Sequence, residues 1–446
     1  MSLLLRFIQE EWIEQFSPFW FITCMGTGIS ASILHSFPYP ARWLVRCSYI
    51  FFAIVSILFI FLQVIAVAQF ILYSQHSHKR KNYYWNTFKN IDNNVFWGTY
   101  AMGLQTILSY IFTIAISDEV VNTKHAKPLM YVVYILWWYD IAISLVIAWG
   151  ITFIIWKDYN HYFGETPDIE MIDSPENKAM KEDLQTFLLL PVITLVVACS
   201  ASGTFIMSDL FTRTFNRNIQ LITLIITFLI WLHAIVFVAI ILGIYVWNLY
   251  VNKLPEAKKI FSLFLCLGPL GQGAYGIVWL TTDVKLYIDL YYSVDPNTDL
   301  NGYIAKVAIG WSFQIFGLIF SMLLLATGFF FTFLCVIGIL TYSRSHTKIY
   351  RYQKTWWGMT FPLGTMAIGC KELYLQFNPY VPMSAFRVVS VIYSIACVLI
   401  TTTCFICTAV TAVREWSKFF RKNSRSRPAV TKEWDEHSTL DNSSSA

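Results

Sequence analysis

Two adjacent ionisable residues, Lys371 and Glu372, lie inside a long apolar stretch of the sequence, residues 356–377. A helix of this length crosses the ~30 Å hydrocarbon core of a bilayer. Ionisable side chains inside a membrane are costly, and they are tolerated where protein or a water-filled cavity covers them. The pair therefore predicts either a polar position on a transport path or an ion pair near the membrane surface.

The same stretch contains Phe361 and Pro362, with Gly358 and Gly364 on either side. Pro362 has no N–H for the carbonyl of Gly358, and its ring pushes against that carbonyl, so a kink is expected. An aromatic ring at a kink can block a narrow path without adding charge. We interpret residues 356–377 as a path-lining helix gated by Phe361. A proline-kinked helix that only packs against its neighbours is the alternative.

Small polar residues recur in other apolar segments that also carry glycine or proline. Such residues let helices approach closely, which is their purely structural interpretation, and they also offer polar groups to an anion. Besides Lys371 and Glu372, the candidates for a polar path lining are Ser30, Thr99, Ser200, Ser202, Thr204 and Gln272. The candidates for path-shaping kinks are Pro18, Pro191, Pro269 and Pro362, with Gly358 and Gly364.

The sequence lacks the motifs of common enzymes. The glycine-rich run 268–273 is followed by Ala274, not by the Lys-Ser/Thr of a phosphate-binding loop. We therefore expect no enzyme activity, no metal and no cofactor. Asp140 and His233 are further polar residues within apolar segments. For both, hydrogen-bonded packing is favoured over a role in proton coupling.

The composition is that of a membrane protein with many spans. Of the 446 residues, 56% are hydrophobic and 13% are charged, against ~25% charged residues in soluble domains. The expected partners are a small anion and the lipid bilayer, and no nucleic acid.

Ten apolar segments predict an all-α fold of ten transmembrane helices, paired as five hairpins. The odd-numbered segments contain most of the glycines, prolines and small hydroxyl residues, whereas the even-numbered ones are longer and richer in large aliphatic residues. We expect the odd helices to form an inner ring around one central path, with the even helices outside. The segments are 16–36, 43–73, 95–117, 128–157, 186–208, 216–250, 258–281, 303–342, 355–377 and 383–413.

The distribution of basic residues predicts the orientation. With ten spans, 22 Lys and Arg residues lie on the side of both termini and nine on the other. Because cytoplasmic loops carry the excess of basic residues, both termini are expected in the cytoplasm. The predicted organisation is a cytoplasmic N-terminus (1–15), a transmembrane domain (16–413) and a cytoplasmic, largely disordered tail (414–446).

Several strings spread over the apolar segments resemble the tellurite-resistance/dicarboxylate transporter family, whose fold is shared by C4-dicarboxylate transporters and anion channels. Within that family they most resemble the fungal sulfite efflux pumps. The strings are SFPYPARWL (36–44), FWGTYAMG (96–103), LWWYDIA (136–142), FNRNIQLIT (215–223), LGPLGQG (267–273) and WGMTFPLGT (357–365).

The resemblance implies five hairpins around one path, a gating phenylalanine at Phe361, and export of sulfite or hydrogen sulfite across the plasma membrane, which confers sulfite resistance. It also implies homo-oligomers with one path per subunit. Ala101 departs from the family pattern, which has proline there, so that helix is expected to be straighter. A dicarboxylate carrier or small-anion channel on the same fold is the first alternative, and a receptor or structural membrane protein is the second.

Overall fold

The computed structural model describes residues 8–75, 91–154, 156–157, 188–255, 260–345 and 351–425. Every regular element in these ranges is a helix. The last part of the predicted tail, 426–446, lies outside the described residues.

Ten long helices, labelled α1 to α10, account for most of the described chain. They correspond in order to the ten apolar segments of the sequence. Their bounds are α1 Phe21–His35, α2 Arg42–Gln75, α3 Trp97–Ala115, α4 Ala126–Leu145, α5 Leu189–Ser202, α6 Arg217–Asn252, α7 Leu267–Tyr291, α8 Leu300–Ser345, α9 Trp357–Phe377 and α10 Ser384–Arg425.

Local sequence explains how several of these helices begin. The side chain of Asn216 accepts a hydrogen bond from the backbone N–H of Ile219 (3.0 Å) and thereby caps α6. Short 3-10 turns lead into α1, α7 and α9 instead, and no side chain caps these three helices. The three turns are Pro18–Trp20, Ile260–Cys266 and Lys354–Trp356.

Burial separates the odd helices from the even ones. All 14 residues of α5 are buried, and α1 is buried over nearly its whole length. The even helices expose large apolar side chains, such as Ile57 of α2 and Trp247 of α6, both 70% exposed. A helix that exposes such residues on its outer side is suited to contact with lipid.

Six helical stretches among the described residues are long and apolar enough to cross a membrane. They comprise α2, α4, α6, α8, α10 and one odd helix, α7, together with the turn before it. The odd helices α1 and α5 have only 15 and 14 residues, which is ~21–23 Å of helix. Because protein surrounds these helices, they have less need of length and apolar character than helices that face lipid.

The helices contact one another in a regular order. Each odd helix packs against the even helix that follows it: α1 with α2, α3 with α4, α5 with α6, α7 with α8 and α9 with α10. The odd helices also pack against each other, α1 with α3, α3 with α5, α5 with α7, α7 with α9, and α9 with α1.

Helix α10 is longer than its apolar segment. It continues from the predicted membrane boundary at residue 413 to Arg425, so the first part of the predicted tail is helical. The run of basic residues in this part does not interrupt the helix, because Arg and Lys are good helix formers.

Candidate functional site

Helix α9 packs closely against α1. Gly364 of α9 lies against Ile29 of α1, and Gly26 of α1 lies against Thr360 of α9. Each glycine leaves room for the side chain opposite, because a Cβ in its place would overlap that side chain. Thr360 and Gly364 therefore mark the side of α9 that faces α1.

Helix α9 contacts two further helices on other sides. A Cβ on Gly271 of α7 would lie 2.5 Å from the backbone N of Met366, so α7 approaches the α9 backbone directly. The carbonyl of Ala367 accepts a hydrogen bond from Ser390 of α10 (2.8 Å). Three sides of α9 are thus assigned to α1, α7 and α10.

The remaining side of α9 faces the interior between the odd helices. Successive residues of an α-helix are turned by about 100°, so this side lies between the faces that contact α1 and α7. By this register, the residues on it are Gly358, Phe361, Thr365, Ile368 and Glu372. We call this set the inner face of α9.

The interior contains unfilled space beside Gly358. A Cβ on this buried glycine would meet no atom within 4 Å. The same holds for Gly150 and Gly243, but neither of these is buried. Phe361, which is 2% exposed, follows one turn later on the same face. Open space and a buried aromatic ring are therefore neighbours along α9.

Pro362 lies in the interior of α9, which remains helical from Trp357 to Phe377. Because proline has no N–H, the carbonyl of Gly358 lacks its usual donor four residues on. The Pro362 ring faces α7, where its Cγ would lie 3.9 Å from a Cβ on Gly268. Helix α9 therefore has one weakened turn, and this turn carries Phe361.

The other three candidate prolines occupy different positions. Pro18 is the first residue of a 3-10 turn, and Pro191 and Pro269 are the third residues of α5 and α7. N–H groups in the first turn of a helix have no intrahelical partner, so proline there removes no hydrogen bond. Pro18 and Pro191 lie at helix starts, Pro269 lies where the 3-10 turn Ile260–Cys266 continues into α7, and Pro362 is the one of the four in the interior of an α-helix.

Lys371 and Glu372 point in different directions. The Nζ of Lys371 donates a hydrogen bond to Ser36 Oγ (2.8 Å), just after the end of α1. Glu372 is 3% exposed, lies on the inner face of α9, and accepts a hydrogen bond from Gln376 Nε2 (2.9 Å). Of the two, it is the carboxylate that faces the interior.

Two of the predicted lining hydroxyls face outer helices instead. Ser30 Oγ lies 3.0 Å from Thr401 Oγ1 of α10, and Ser202 Oγ lies 3.2 Å from Thr227 Oγ1 of α6. Both also contact carbonyls of their own helices. Their role is the packing of an odd helix against an even one.

Two further hydroxyls join odd helices to neighbouring backbone. Ser200 Oγ of α5 lies 2.9 Å from the carbonyl of Gln272 in α7. Thr99 Oγ1, at the start of α3, lies 2.7 Å from the Phe96 carbonyl and 3.3 Å from that of Pro18. These contacts hold the odd helices together.

The inward side of α7 carries Gln272, Tyr275 and Trp279. It lies between Gly271, which faces α9, and Gly276, which packs against Ser200 of α5. Tyr275 and Trp279 are partly exposed, although the residues between them are buried. Neither aromatic residue is among the candidates predicted from the sequence, although their spacing of three and seven residues from Gln272 places all three on one side of a helix.

Thr204, just beyond α5, is also partly exposed. Its hydroxyl lies 2.7 Å from the Ala201 carbonyl. By helical register it continues the side of α5 that lies between α3 and α7. Of the predicted hydroxyls and amides, Thr204 and Gln272 are therefore the two that the fold directs toward the interior.

Asp140 and His233 lie away from the inner face of α9. His233 Nε2 accepts a hydrogen bond from Trp149 Nε1 (3.1 Å), which supports the predicted packing role. Asp140 is 1% exposed, and neither carboxyl oxygen has a hydrogen-bond partner within the described ranges. Within these ranges the structure therefore shows no hydrogen bond of the kind expected for the packing of Asp140.

A bundle of apolar helices with polar residues and a buried aromatic ring on its inner side is typical of a membrane channel or transporter. The family model of the voltage-dependent anion channel, SLAC1, matches residues 15–409, and the chain belongs to this family. The match confirms the resemblance to the tellurite-resistance/dicarboxylate transporter family.

Curated relatives carry a more particular name. The chain is 46% identical over 414 residues to the sulfite efflux pump SSU1 of Saccharomyces cerevisiae. The alignment covers 91% of this chain and 88% of that protein. It is 28% identical over 423 residues to the sulfite efflux pump SSU1 of Candida albicans, covering 91% of this chain and 76% of that protein. The corresponding protein of Arthroderma otae is 25% identical over 375 residues, or 84% and 86% of the two chains.

Proposed function

We propose that this protein exports sulfite or hydrogen sulfite through a path enclosed by α1, α3, α5, α7 and α9. The observation that carries the proposal is the cyclic order of contacts among these five helices, with Phe361 and the space beside Gly358 on their inner side. The 46% identity to a sulfite efflux pump supports sulfite as the anion.

In this proposal the ten helices are five membrane-spanning hairpins, with the odd helices around the path and the even helices toward lipid. Burial of the odd helices and exposure of apolar residues on the even ones support the assignment. All odd helices begin at the same end, and no side chain caps any of the five. The positive ends of their dipoles then favour an anion at the entrance.

Phe361 acts as the gate. Its ring lies between the space beside Gly358 and the outer part of the path, where Ile368, Tyr275 and Trp279 are partly exposed. An apolar ring on a narrow path excludes a hydrated anion, because the anion would lose its water without gaining a partner. The weakened turn at Pro362 lets the ring move while the rest of α9 stays packed.

The charges of the inner helices favour a small anion over a dicarboxylate. Within the described bounds of α1, α3, α5, α7 and α9, the Lys and Arg residues are Lys285 and Lys371. Lys285 pairs with Asp289 (2.7 Å) and Lys371 with Ser36. A dicarboxylate needs firm cationic partners along its path, and neither lysine is free to provide one. For a transporter of this kind we propose no enzyme activity.

Reconstituted liposomes test the proposed substrate. Vesicles loaded with labelled sulfite should release it faster when they contain the protein, whereas labelled malate should be retained. Vesicles without protein control for leakage. Release of malate at the same rate as sulfite would contradict the choice of substrate and favour the dicarboxylate carrier.

We further propose that the protein lies in the plasma membrane as a homo-oligomer, with both termini in the cytoplasm and one path per subunit. The 22 basic residues on the side of the termini, against nine on the other, support this orientation. A C-terminal epitope tag should resist antibody labelling in intact cells and become accessible after permeabilisation. Labelling of intact cells would overturn the direction of export.

A further inference from the structure

A second cavity, of about 380 Å³, lies outside the proposed path. It opens between α2 and α10, at the end of the molecule where α1 and α9 begin. Phe61 and Leu62 of α2 form one wall, and Phe405 and Ala409 of α10 form the other. We call it the α2–α10 cleft.

The walls of the cleft are apolar and aromatic. Trp12 packs edge-on against Phe61, with ring centroids 5.2 Å apart, and Trp20 and Trp357 also line the cleft. The neighbouring surface of α10 is exposed and apolar, as at Val410. Tryptophan is enriched where the hydrocarbon core meets the lipid headgroups, so the cleft lies at the depth of a lipid's upper acyl chain.

Part of the cleft wall is polar. Its polar groups are hydrogen-bonded around Thr408. The Nε1 of Trp357 donates a hydrogen bond to Thr408 Oγ1 (3.0 Å), and the Tyr352 hydroxyl lies 2.6 Å from the same oxygen. Their donors and acceptors thus satisfy one another, which leaves an apolar surface for an occupant.

Two charged residues line the cleft, Lys354 and Glu415, and further basic residues lie beside it on α10. Lys354 lines it and holds its ammonium group 5.0 Å from the centre of the Trp20 ring. Arg414 and Lys418 do not line the cleft, but they flank Glu415 on the exposed surface of α10, so basic residues outnumber this acidic one beside the cleft. Basic residues just beyond a transmembrane span attract anionic lipid headgroups.

We propose that the α2–α10 cleft binds one anionic phospholipid, with an acyl chain between α2 and α10 and the phosphate at Lys354. The site is independent of the proposed path, although the two share a wall: Trp357 lines the cleft and begins α9. The volume falls within the ~300–1,000 Å³ range of ligand pockets, and it accommodates part of a lipid and not the whole molecule.

Native mass spectrometry tests this proposal on the full-length protein in detergent. The probes are phosphatidylserine and phosphatidylcholine with identical acyl chains. The wild type should retain one phosphatidylserine in preference to phosphatidylcholine. Ala409→Trp, which fills the cleft, should lower retention about tenfold, whereas Val410→Trp, on the neighbouring exposed face of α10, should leave it unchanged. Lys354→Gln should remove the preference for phosphatidylserine without abolishing acyl-chain binding.

Three results would overturn the proposal. Equal loss of lipid in the two tryptophan variants would mean that the lipid lies elsewhere on α10. Equal retention of the two phospholipids by the wild type would show that the cleft does not select an anionic headgroup. Displacement of phosphatidylserine by a sterol at equal concentration would indicate a sterol site.

Discussion

At the scale of single residues, Gly358 and Phe361 have complementary roles on the inner face of α9. Gly358 leaves space that no neighbouring atom fills, and the Phe361 ring is buried one turn further on. Glycines elsewhere in the odd helices differ from Gly358, because a Cβ on Gly271 or Gly364 would overlap a neighbouring helix. At most of these positions the missing side chain therefore allows close helix packing. At Gly358 it leaves open space instead.

Gly358→Leu should fill the space and lower sulfite flux about tenfold, which corresponds to about 1.4 kcal/mol of added barrier. Folding should be preserved, because the new side chain enters empty space. Gly271→Ala is the matched contrast: it forces overlap with the α9 backbone and should destabilise the protein by ~1–3 kcal/mol. Flux in liposomes and thermal unfolding in detergent check the pair. Normal flux through Gly358→Leu would place the path elsewhere.

Glu372→Gln should raise anion flux several-fold, because it removes a carboxylate from the inner face while keeping a similar shape. In a hydrated path, a unit charge ~4 Å from a passing anion contributes about 1 kcal/mol of repulsion, which corresponds to about a fivefold change in rate. Lys371→Met is the matched control and should change flux much less, because Lys371 points to Ser36. Liposome flux at equal protein content measures both. A larger effect of Lys371→Met would reverse the assignment of the two side chains.

At the scale of the elements, position within a helix decides what each proline does. Pro362 lies inside α9, whereas Pro191 and Pro269 lie in first turns, where proline is well tolerated. The outer ends of α1 and α9 are joined through Lys371 and Ser36. The weakened turn of α9 is therefore close to Phe361 and remote from this anchored end.

Pro362→Ala should restore a donor for the Gly358 carbonyl, straighten α9 and change sulfite flux. Surface expression should be kept or improved, since proline in a helix interior costs ~3 kcal/mol. Pro191→Ala should leave flux near wild type. Measuring expression and flux together separates gating from folding. Equal loss of both in Pro362→Ala would support a proline that only packs.

The sequence predicts where the helices lie better than it predicts which side chains face the interior. Phe361 and Pro362 stand out because the proposed gate residue and the proline inside the helix are neighbours in the chain. The apolar runs predict the helices because hydrophobic length is a local property. The directions of Ser30 and Ser202 depend on α10 and α6, which pack against them from distant parts of the chain. Lys371 and Glu372 likewise could not be told apart until Ser36 and Gln376 were placed beside them.

At the scale of the whole molecule, the order of helix contacts explains why the odd and even helices differ in composition. Odd helices contact protein on nearly all sides, so glycine and hydroxyl residues are tolerated there, whereas even helices expose aliphatic side chains. In the proposed arrangement the path is enclosed by one chain, so transport requires no residue from a second subunit. Oligomerisation would then add stability and leave the path unchanged.

Passive sulfite flux through Phe361→Ala in liposomes tests the central claim most directly. Phe331→Ala in α8 is the matched control, because Phe331 is also buried, at 2% exposed, and truncation of either ring costs ~3–5 kcal/mol of stability. The account predicts that Phe361→Ala conducts sulfite faster than wild type, while Phe331→Ala does not. Flux through well-folded Phe361→Ala at or below the wild-type rate would contradict a gate at Phe361.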